Sequence, residues 1–461
     1  MADVPLPGTE LSDEAAVGAA IPQPVHELMG VLWGAGHAAY VVGGSLRDVL
    51  LDRQPFDWDL ATDARPDEIL KLFPSAVYEN AYGTVAVRHR DDLYEVTTFR
   101  TDHDYTDFRR PHRVEFGDSV EVDLARRDFT ANAVAWGAAA GDQPALVDPH
   151  GGRDDISAGL LRAVGDPKAR FEEDALRMVR AVRLAATLGF AIEPATLAGI
   201  EANADLVRYL SGERIQTELS KLLAAERPSV GLRLLADTRL LERISPDLAQ
   251  QRGVPQNKVP GEDLWDHTVR TVDATRADRP VVRLAALLHD IGKPATFSDG
   301  HFLGHEVVGA ELAGELLDKL RSPRAVRERV VHLVRQHMFS YESAWSDTAV
   351  RRFIGKIGFE AIDDLFALRE ADNLGSGIAP DAGGLDALRE RVARELEGEL
   401  VLDRSKLEID GRDLIEELGL RQGPQLGRIL DELLEKVIVD PALNDRATLL
   451  LLARSRVADD V

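Results

Sequence analysis

A chain of 461 residues, 44% hydrophobic and 29% charged, has room for about two to four domains with sizeable cores. It contains no Cys, which excludes disulfides, thiolate zinc sites and cysteine nucleophiles, and its net charge of −24 argues against a generic nucleic-acid coat. No run approaches the roughly eighteen apolar residues of a membrane span, and no Lys or Arg precedes Arg47, so neither a span nor a basic secretory signal is expected and a cytoplasmic address fits.

Residues 1–25 are small, acidic and Pro-containing, and read as a loose tail. Residues 26–165 alternate short strands and helices, with strands expected at 38–42, 57–62, 84–88, 93–99 and 114–116. The apolar run Ala38-Ala39-Tyr40-Val41-Val42 enters Gly43-Gly44, after which Leu46 to Leu51 reads as a helix start. From Phe171 onward Leu, Val, Ile and Ala recur at helical spacing with few strand signals. Pro and Gly cluster at 252–261 and 375–384, which are the expected boundaries. The order is a small head of strands and helices, a helical neck over 166–255, and helical segments over 256–376 and 377–461.

The head carries the first constellation. Two glycines let backbone N–H groups approach a phosphate without obstruction by Cβ. Thirteen residues after Gly44 come Asp57-Trp58-Asp59, whose carboxylates share one face of an extended segment. Paired carboxylates are the hard oxygen ligands that Mg²⁺ prefers beside a triphosphate, and Glu95 on a following strand is the expected third. A glycine turn with this pair describes a nucleotidyltransferase. In Arg127-Asp128-Phe129-Thr130-Ala131-Asn132-Ala133, Arg127 offers a planar fork to phosphate, and Asp128 or Asn132 can hold a ribose hydroxyl or cap a turn. Glu173 to Arg183 reads as one helix with Asp174 and Arg177 as i,i+3 neighbours. A carboxylate accepting from an exocyclic amine, with a guanidinium donating to the adjacent ring nitrogen, suits cytosine and adenine and rejects uracil and guanine. Arg180 and Arg183 would reach phosphate or support the helix. Basic residues that could form an RNA track within this acidic chain are Arg100, Arg109, Arg110 and Arg113 in one loop, then Arg162, Lys168, Arg170 and the arginines just named.

Taken in order, Gly43-Gly44…Arg47-Asp48…Asp57-x-Asp59, Arg127-Asp128-Phe129-Thr130-x-Asn132-Ala133, Asp148-Pro149-x-Gly151-Gly152, Glu173-Asp174-x-x-Arg177-x-x-Arg180 and Arg214-Ile215-x-x-Glu218-Leu219-x-Lys221 resemble the motifs of class II tRNA nucleotidyltransferases, the family of CCA-adding enzymes and bacterial poly(A) polymerases. The resemblance covers roughly residues 38–225. It implies an α+β head of the DNA polymerase β-like kind, a small mixed sheet with helices, followed by an all-α body. By position it implies that Gly43, Gly44, Arg47 and Arg127 hold the incoming nucleotide, that Asp57 and Asp59 bind Mg²⁺, and that Asp174 and Arg177 read the base beside Arg180 and Arg183. Thr98-Phe99-Arg100-Thr101…Arg109-Arg110-Pro111 resembles the family loop needed for the switch to A addition. Ala131 stands where family members often carry a larger apolar residue.

The helical half holds a second set: His267, His289-Asp290, His305, His337 and Asp372. Imidazole and carboxylate suit Mn, Fe, Ni or Zn. The ordered set resembles the HD phosphohydrolase superfamily, which implies a divalent transition metal and phosphoester hydrolysis, with Lys293 able to neutralise a phosphate oxygen. A 2′,3′-cyclic phosphate at a tRNA end is the substrate that the resemblance suggests. Asp410-Gly411-x-Asp413-Leu414 and Gly423-Pro424-x-x-Gly427 are similar to the tail of the nucleotidyltransferase family, where a tRNA-contacting element and a plain helical bundle read alike. The expected activity is template-independent addition of CCA to tRNA 3′ ends from CTP and ATP, by a monomer or homodimer. CC-only, A-only and poly(A) addition share the same motifs. A protein of another class, an RNA-binding or signalling HD protein with an inactive head, is disfavoured by the intact Asp57, Asp59 and Arg127.

Overall fold

A computed structural model of the chain describes residues 14–55, 57–78, 83–103, 113–256, 258–397 and 403–459. Arg109 and Arg110 lie outside the described residues, and Arg113 is described by its backbone alone. The chain divides into two units, Met1–Gln250 with Asp318–Ser322 and Gln251–Leu317 with Pro323–Val461. Among the described residues no helix is long and apolar enough to cross a membrane.

The first unit is built on a mixed sheet of seven strands: β1 (Ala39–Val42), β2 (Asp59–Thr62), β3 (Val77–Tyr78), β4 (Thr84–His89), β5 (Asp92–Thr98), β8 (Ala135–Ala138) and β9 (Ala145–Val147), in the order β3-β4-β5-β2-β1-β8-β9. A separate antiparallel ribbon joins β6 (Arg100–His103) to β7 (Arg113–Phe116). β1 is buried along its whole length between β2 and β8, as an unbroken apolar run should be. β2 runs parallel to β5, and their register sets Asp59 opposite Glu95, so both side chains emerge on one face.

Strands β3, β6 and β9 were not expected, Arg100 and Arg113 lie in the β6–β7 ribbon and not in a loop, and three further features differ from the sequence expectation. Residues 14–20, expected in the tail, form the helix Glu14–Ala20, with Val17 fully buried and Gly18 so close to Trp136 that a Cβ would lie 2.7 Å from its ring. β8 carries Ala135-Trp136-Gly137-Ala138, too poor in β-branched residues to signal a strand. Gly137 is there because a Cβ would sit 2.1 Å from the Ala39 carbonyl oxygen of β1. Finally, the expected helix from Glu173 to Arg183 is broken. One helix, Pro167–Glu173, stops before Asp174, whose backbone is extended, and a second runs Leu176–Leu188. The Asp174 carboxylate accepts from the Leu176 N–H at 3.0 Å, a local bond that competes with helix continuation.

The Asp148-Pro149-x-Gly151-Gly152 motif proves to be a brace for the turn that holds Arg127 to Asn132. Asp148 accepts from the N–H groups of Gly152 and Arg153 at 2.7 and 2.9 Å, and Gly151 sits at φ +71°. A Cβ on Gly152 would lie 2.2 Å from the Thr130 carbonyl oxygen. Gly152→Ala is therefore expected to cost about 1–3 kcal/mol, as overpacking does, read as a lower urea midpoint with an unchanged slope.

The second unit is helical. Helices Leu264–Ala274, Pro280–Leu288, His305–Lys319, Arg324–Gln336 and Ile362–Gly375 bring their ends together, and His289 and His337 stand at the C-terminal ends of two of them. Near the C-terminus, Asp410 and Asp413 cap each other's backbone N–H groups at the start of Gly411–Leu418, so this pair has a structural role. Leu414, Ile429, Leu433 and Leu449 form a core with neighbouring helices there.

Candidate active sites

In the first unit a cavity of about 380 Å³ is lined by Asp59, Glu95, Arg127, Asp174, Arg177 and Arg180, among others. Gly43 sits at the mouth of β1 with φ +81°, and a Cβ there would come within 3.1 Å of Arg127 Nη1 and 3.5 Å of Asp59 Oδ2. The glycine is thus needed both for the left-handed turn and for the approach of these two side chains. Burial pushes the Asp59 carboxyl above its ordinary range, opposed by Arg127 and reinforced by the charge of Asp57. A carboxylate held at such cost is one that a cation would relieve. The hard carboxylate oxygens of Asp59 and Glu95, which line the cavity, would fit Mg²⁺, whereas Asp57 is exposed, precedes β2 and does not line the cavity.

Arg127 is tied to Asp123 at 3.2 Å, and its buried Nε has no partner among the described residues. Arg47 donates to Asn132 Oδ1 at 2.7 Å and to Asp48 at 2.7 and 2.9 Å. Asp128 accepts from the Asn132 amide at 3.1 Å and from Arg180 at 2.8 Å. Burial alone would raise the Asp128 carboxyl, but Arg180, the Asn132 amide and Arg177 outweigh it and hold it well below the usual range. Asp128 and Asn132 thus join Arg47 to Arg180 in one hydrogen-bonded chain along the site.

Asp174 and Arg177 face the same cavity without pairing. Asp174 binds Arg214 at 2.7 Å, while Arg177 binds Glu173 and donates to the carbonyls of Arg170 and Arg126 at 3.0 Å. Arg183 binds Glu218 at 2.8 Å and does not line the cavity, whereas Arg100 does. Arg214 and Arg126 are cavity residues to which the sequence reading gave no role. Only the place of Arg214 in the last motif signalled it.

In the second unit four imidazoles surround Asp290. Its Oδ2 lies 3.0 Å from His289 Nε2 and 3.4 Å from His267 Nε2, and its Oδ1 lies 3.4 Å from His305 Nε2 and 3.7 Å from His337 Nε2. Asp372 Oδ1 adds a contact of 3.2 Å to His267. The Nδ1 atoms of His289, His305 and His337 lie 2.8, 2.7 and 2.6 Å from the carbonyl oxygens of Ala286, Phe302 and Val334. Each Nδ1 is thereby the donor, which leaves the Nε2 lone pair facing inward. Nε2 atoms meet at 3.2 Å (His267 and His289) and 3.3 Å (His305 and His337), close enough for one cation to be shared between them. Burial and the neighbouring His289 push His337 down to about 3, so it is neutral at physiological pH. Burial works against charge on His267 too, but Asp290 and Asp372 outweigh it and raise that group. The donor set fits a divalent transition metal, and His267-His289-Asp290 and Asp290-His305-His337 form two groups that share one carboxylate.

Comparison with known proteins matches both regions. The Poly A polymerase head domain model matches residues 39–162, the model for the probable RNA and SrmB-binding site of polymerase A matches 189–252, and the HD domain model matches 239–377. The CCA-adding enzyme of Limosilactobacillus fermentum is 34% identical over 429 residues, spanning 93% of this chain and 95% of that protein. The chain belongs to the CCA-adding enzyme family. A second CCA-adding enzyme, from Geobacillus thermodenitrificans, is 48% identical over 217 residues, 47% of this chain and 52% of its own length. The crystal structure of the Bacillus stearothermophilus CCA-adding enzyme in complex with CTP superposes with a TM-score of 0.70 at 30% identity, covering 95% of this chain and 100% of that one. The Thermotoga maritima CCA-adding enzyme, at 18% identity and a TM-score of 0.60, shares the fold. Membership of the CCA-adding enzyme family accounts for the mixed-sheet head and the helical body with its HD domain.

Proposed function

We propose that the first unit adds C, C and A to tRNA 3′ ends from CTP and ATP. The observation that carries this is the single cavity in which the Asp59 and Glu95 carboxylates face Arg127, Asp174 and Arg177, in a chain similar to CCA-adding enzymes over nearly its whole length. The RNA 3′ hydroxyl attacks the α-phosphorus and gives up its proton to solvent. The bond from that phosphorus to its bridging oxygen breaks, and pyrophosphate leaves. Asp57 and Asp59, with Glu95 beside them, would hold Mg²⁺, which when bound neutralises charge on the phosphates. Arg127 binds the triphosphate through the fork that Gly43 leaves room for, and the Gly43-Gly44 turn admits the phosphates to the backbone. Arg47, clamped by Asp48 and Asn132, fixes the wall of that turn. Arg180 is kept on the cavity by Asp128, and Arg183 supports the helix through Glu218. Arg100, together with Arg109, Arg110 and Arg113, is assigned to RNA contact.

Base choice falls to Asp174 and Arg177. Arg214 donates to Asp174 and lines the same cavity, so Arg214 belongs to the same selector. The test is incubation of tRNAs lacking A, CA or CCA with each nucleotide and Mg²⁺, followed by sequencing of the ends. CCA restoration with rejection of UTP and GTP is expected. Long A tails would replace this reading by poly(A) synthesis, and no incorporation would overturn it. Asp174→Ala and Arg214→Ala should each relax the rejection of UTP about tenfold or more, the scale of one lost bidentate base contact.

We further propose that the HD site binds a divalent transition metal (Mn, Ni, Fe or Zn) through His267, His289, Asp290, His305, His337 and Asp372, and hydrolyses a phosphoester such as a 2′,3′-cyclic phosphate. The inward-facing Nε2 atoms support this. When bound, the metal supplies Lewis acidity toward phosphate and water. Lys293, 2.7 Å from Asp290 Oδ2, is placed to neutralise a phosphate oxygen. The protein is assigned to the cytoplasm.

A further inference from the structure

The HD site holds two lysines, and they are not equivalent. Lys293 is fixed: it lies three residues after Asp290, keeps 9% of its side chain exposed, and sits over the Phe302 ring at 5.4 Å. Lys258 comes from the segment before the first HD helix, is 34% exposed, and places its Nζ 3.4 Å from Asp372 Oδ1. That same oxygen lies 3.2 Å from His267 Nε2 and 3.9 Å from His289 Nε2. A cation ligated by His267, His289 and Asp372 would therefore address the oxygen that Lys258 addresses. The neighbouring Gln256 points the same way: its Nε2 is 3.3 Å from Asp290 Oδ2, and its buried Oε1 has no partner among the described residues. Lys258 and Gln256 thus lay one ammonium and one amide onto the two carboxylates of the cluster.

Resting on the reading of this cluster as a metal-dependent phosphoesterase, we propose that Lys258 is a second phosphate-recognition residue of the HD site and competes with the metal for Asp372. Charge bookkeeping gives the reason. Lys293, Lys258 and Arg369, whose Nη1 lies 3.6 Å from Asp372 Oδ2, already offset Asp290 and Asp372. Once divalent ions occupy those carboxylates, the ammonium groups become surplus positive charge facing any phosphate that enters. Lys293 is held by its helix, whereas Lys258, on an exposed segment, is free to turn from Asp372 to the incoming phosphoester. Recognition is of the phosphate's negative charge, whatever nucleoside or RNA end carries it.

The test uses the full chain carrying Asp57→Ala and Asp59→Ala, so that the head carboxylates do not contribute to metal binding. Ni²⁺ is titrated calorimetrically into this parent and into its Lys258→Gln and Lys258→Arg versions. Hydrolysis of 2′,3′-cyclic AMP is then followed at saturating Ni²⁺. Loss of one positive charge a few ångströms from the cation is expected to tighten Ni²⁺ binding about tenfold in Lys258→Gln. In the same variant KM should rise at least fivefold, by more than kcat falls, and Lys258→Arg should restore KM. A parent that binds and hydrolyses while either readout in Lys258→Gln stays within twofold of it overturns the role of Lys258. A parent that binds no Ni²⁺ and cleaves nothing overturns the phosphoesterase reading itself, and this inference with it. Thermal melting of Lys258→Gln at the parent's temperature separates both outcomes from misfolding.

Discussion

Asp59→Ala is expected to abolish nucleotide incorporation, by about a thousandfold or more in kcat/KM, equal to roughly 4 kcal/mol of transition-state stabilisation. The size follows from its position: it shares a face with Glu95, faces Arg127, and anchors the carboxylate set that would hold Mg²⁺. Stability should move the other way. A carboxyl whose pKa is raised in the folded state is less comfortable ionised there than in the unfolded chain. It therefore subtracts stability above its folded pKa, and that penalty fades as pH falls through it. Asp59→Asn should accordingly melt no lower than the parent at neutral pH while remaining inactive. Single-turnover incorporation and thermal melting check both halves, and an Asp59→Asn enzyme within tenfold of the parent would remove Asp59 from the catalytic set. Asp57→Ala should lose incorporation as well.

His289→Ala combined with Asp290→Ala is expected to eliminate phosphoester hydrolysis, again by about a thousandfold or more, and to leave nucleotide addition in place. Asp290 contacts all four imidazoles and Lys293, so no other residue touches as much of the cluster. Burial would raise its carboxyl, but His289 and Lys293 outweigh that and hold it well below the usual range. Removing it strips both halves of the site of their shared ligand. Hydrolysis of a 2′,3′-cyclic nucleotide with Mn²⁺ or Ni²⁺ is the assay, with addition to tRNA as the internal control. Surviving hydrolysis would place the phosphoesterase elsewhere.

Much of the cavity lining and of the His/Asp cluster was legible in the sequence. Gly43 and Asp59 lie within one short stretch, and an apolar run ending in glycines is a local signal. The His and Asp residues of the second unit were legible as an ordered set, because few other residue types serve a thiol-free metal site. What escaped was non-local. Arg214 meets Asp174 from forty residues downstream, and no periodicity reports such a contact. The helix break at Asp174 was hidden because helical spacing continues across it, while the side-chain bond to Leu176 that interrupts it is invisible to pattern. The strand at Ala135–Ala138 was missed because its small residues are chosen for closeness to β1, not for β propensity. The motif at Asp148 was visible, but its work as a brace was not.

The position of β1 also governs when the head can begin to work as the chain is made. β1 pairs with β2 through Ala39 and Thr62, and with β8 through Ala39 and Ala138, about a hundred residues later. The glycine turn and both aspartates therefore leave the ribosome long before the strand that completes their sheet. Asp174 and Arg214 follow later still. A nascent chain carries Asp57 and Asp59 with no closed cavity around them, and synthesis must pass Arg214 before the cavity lining is complete. The long-range pairing of β1 with β8 is the step at which folding of the head should be slowest.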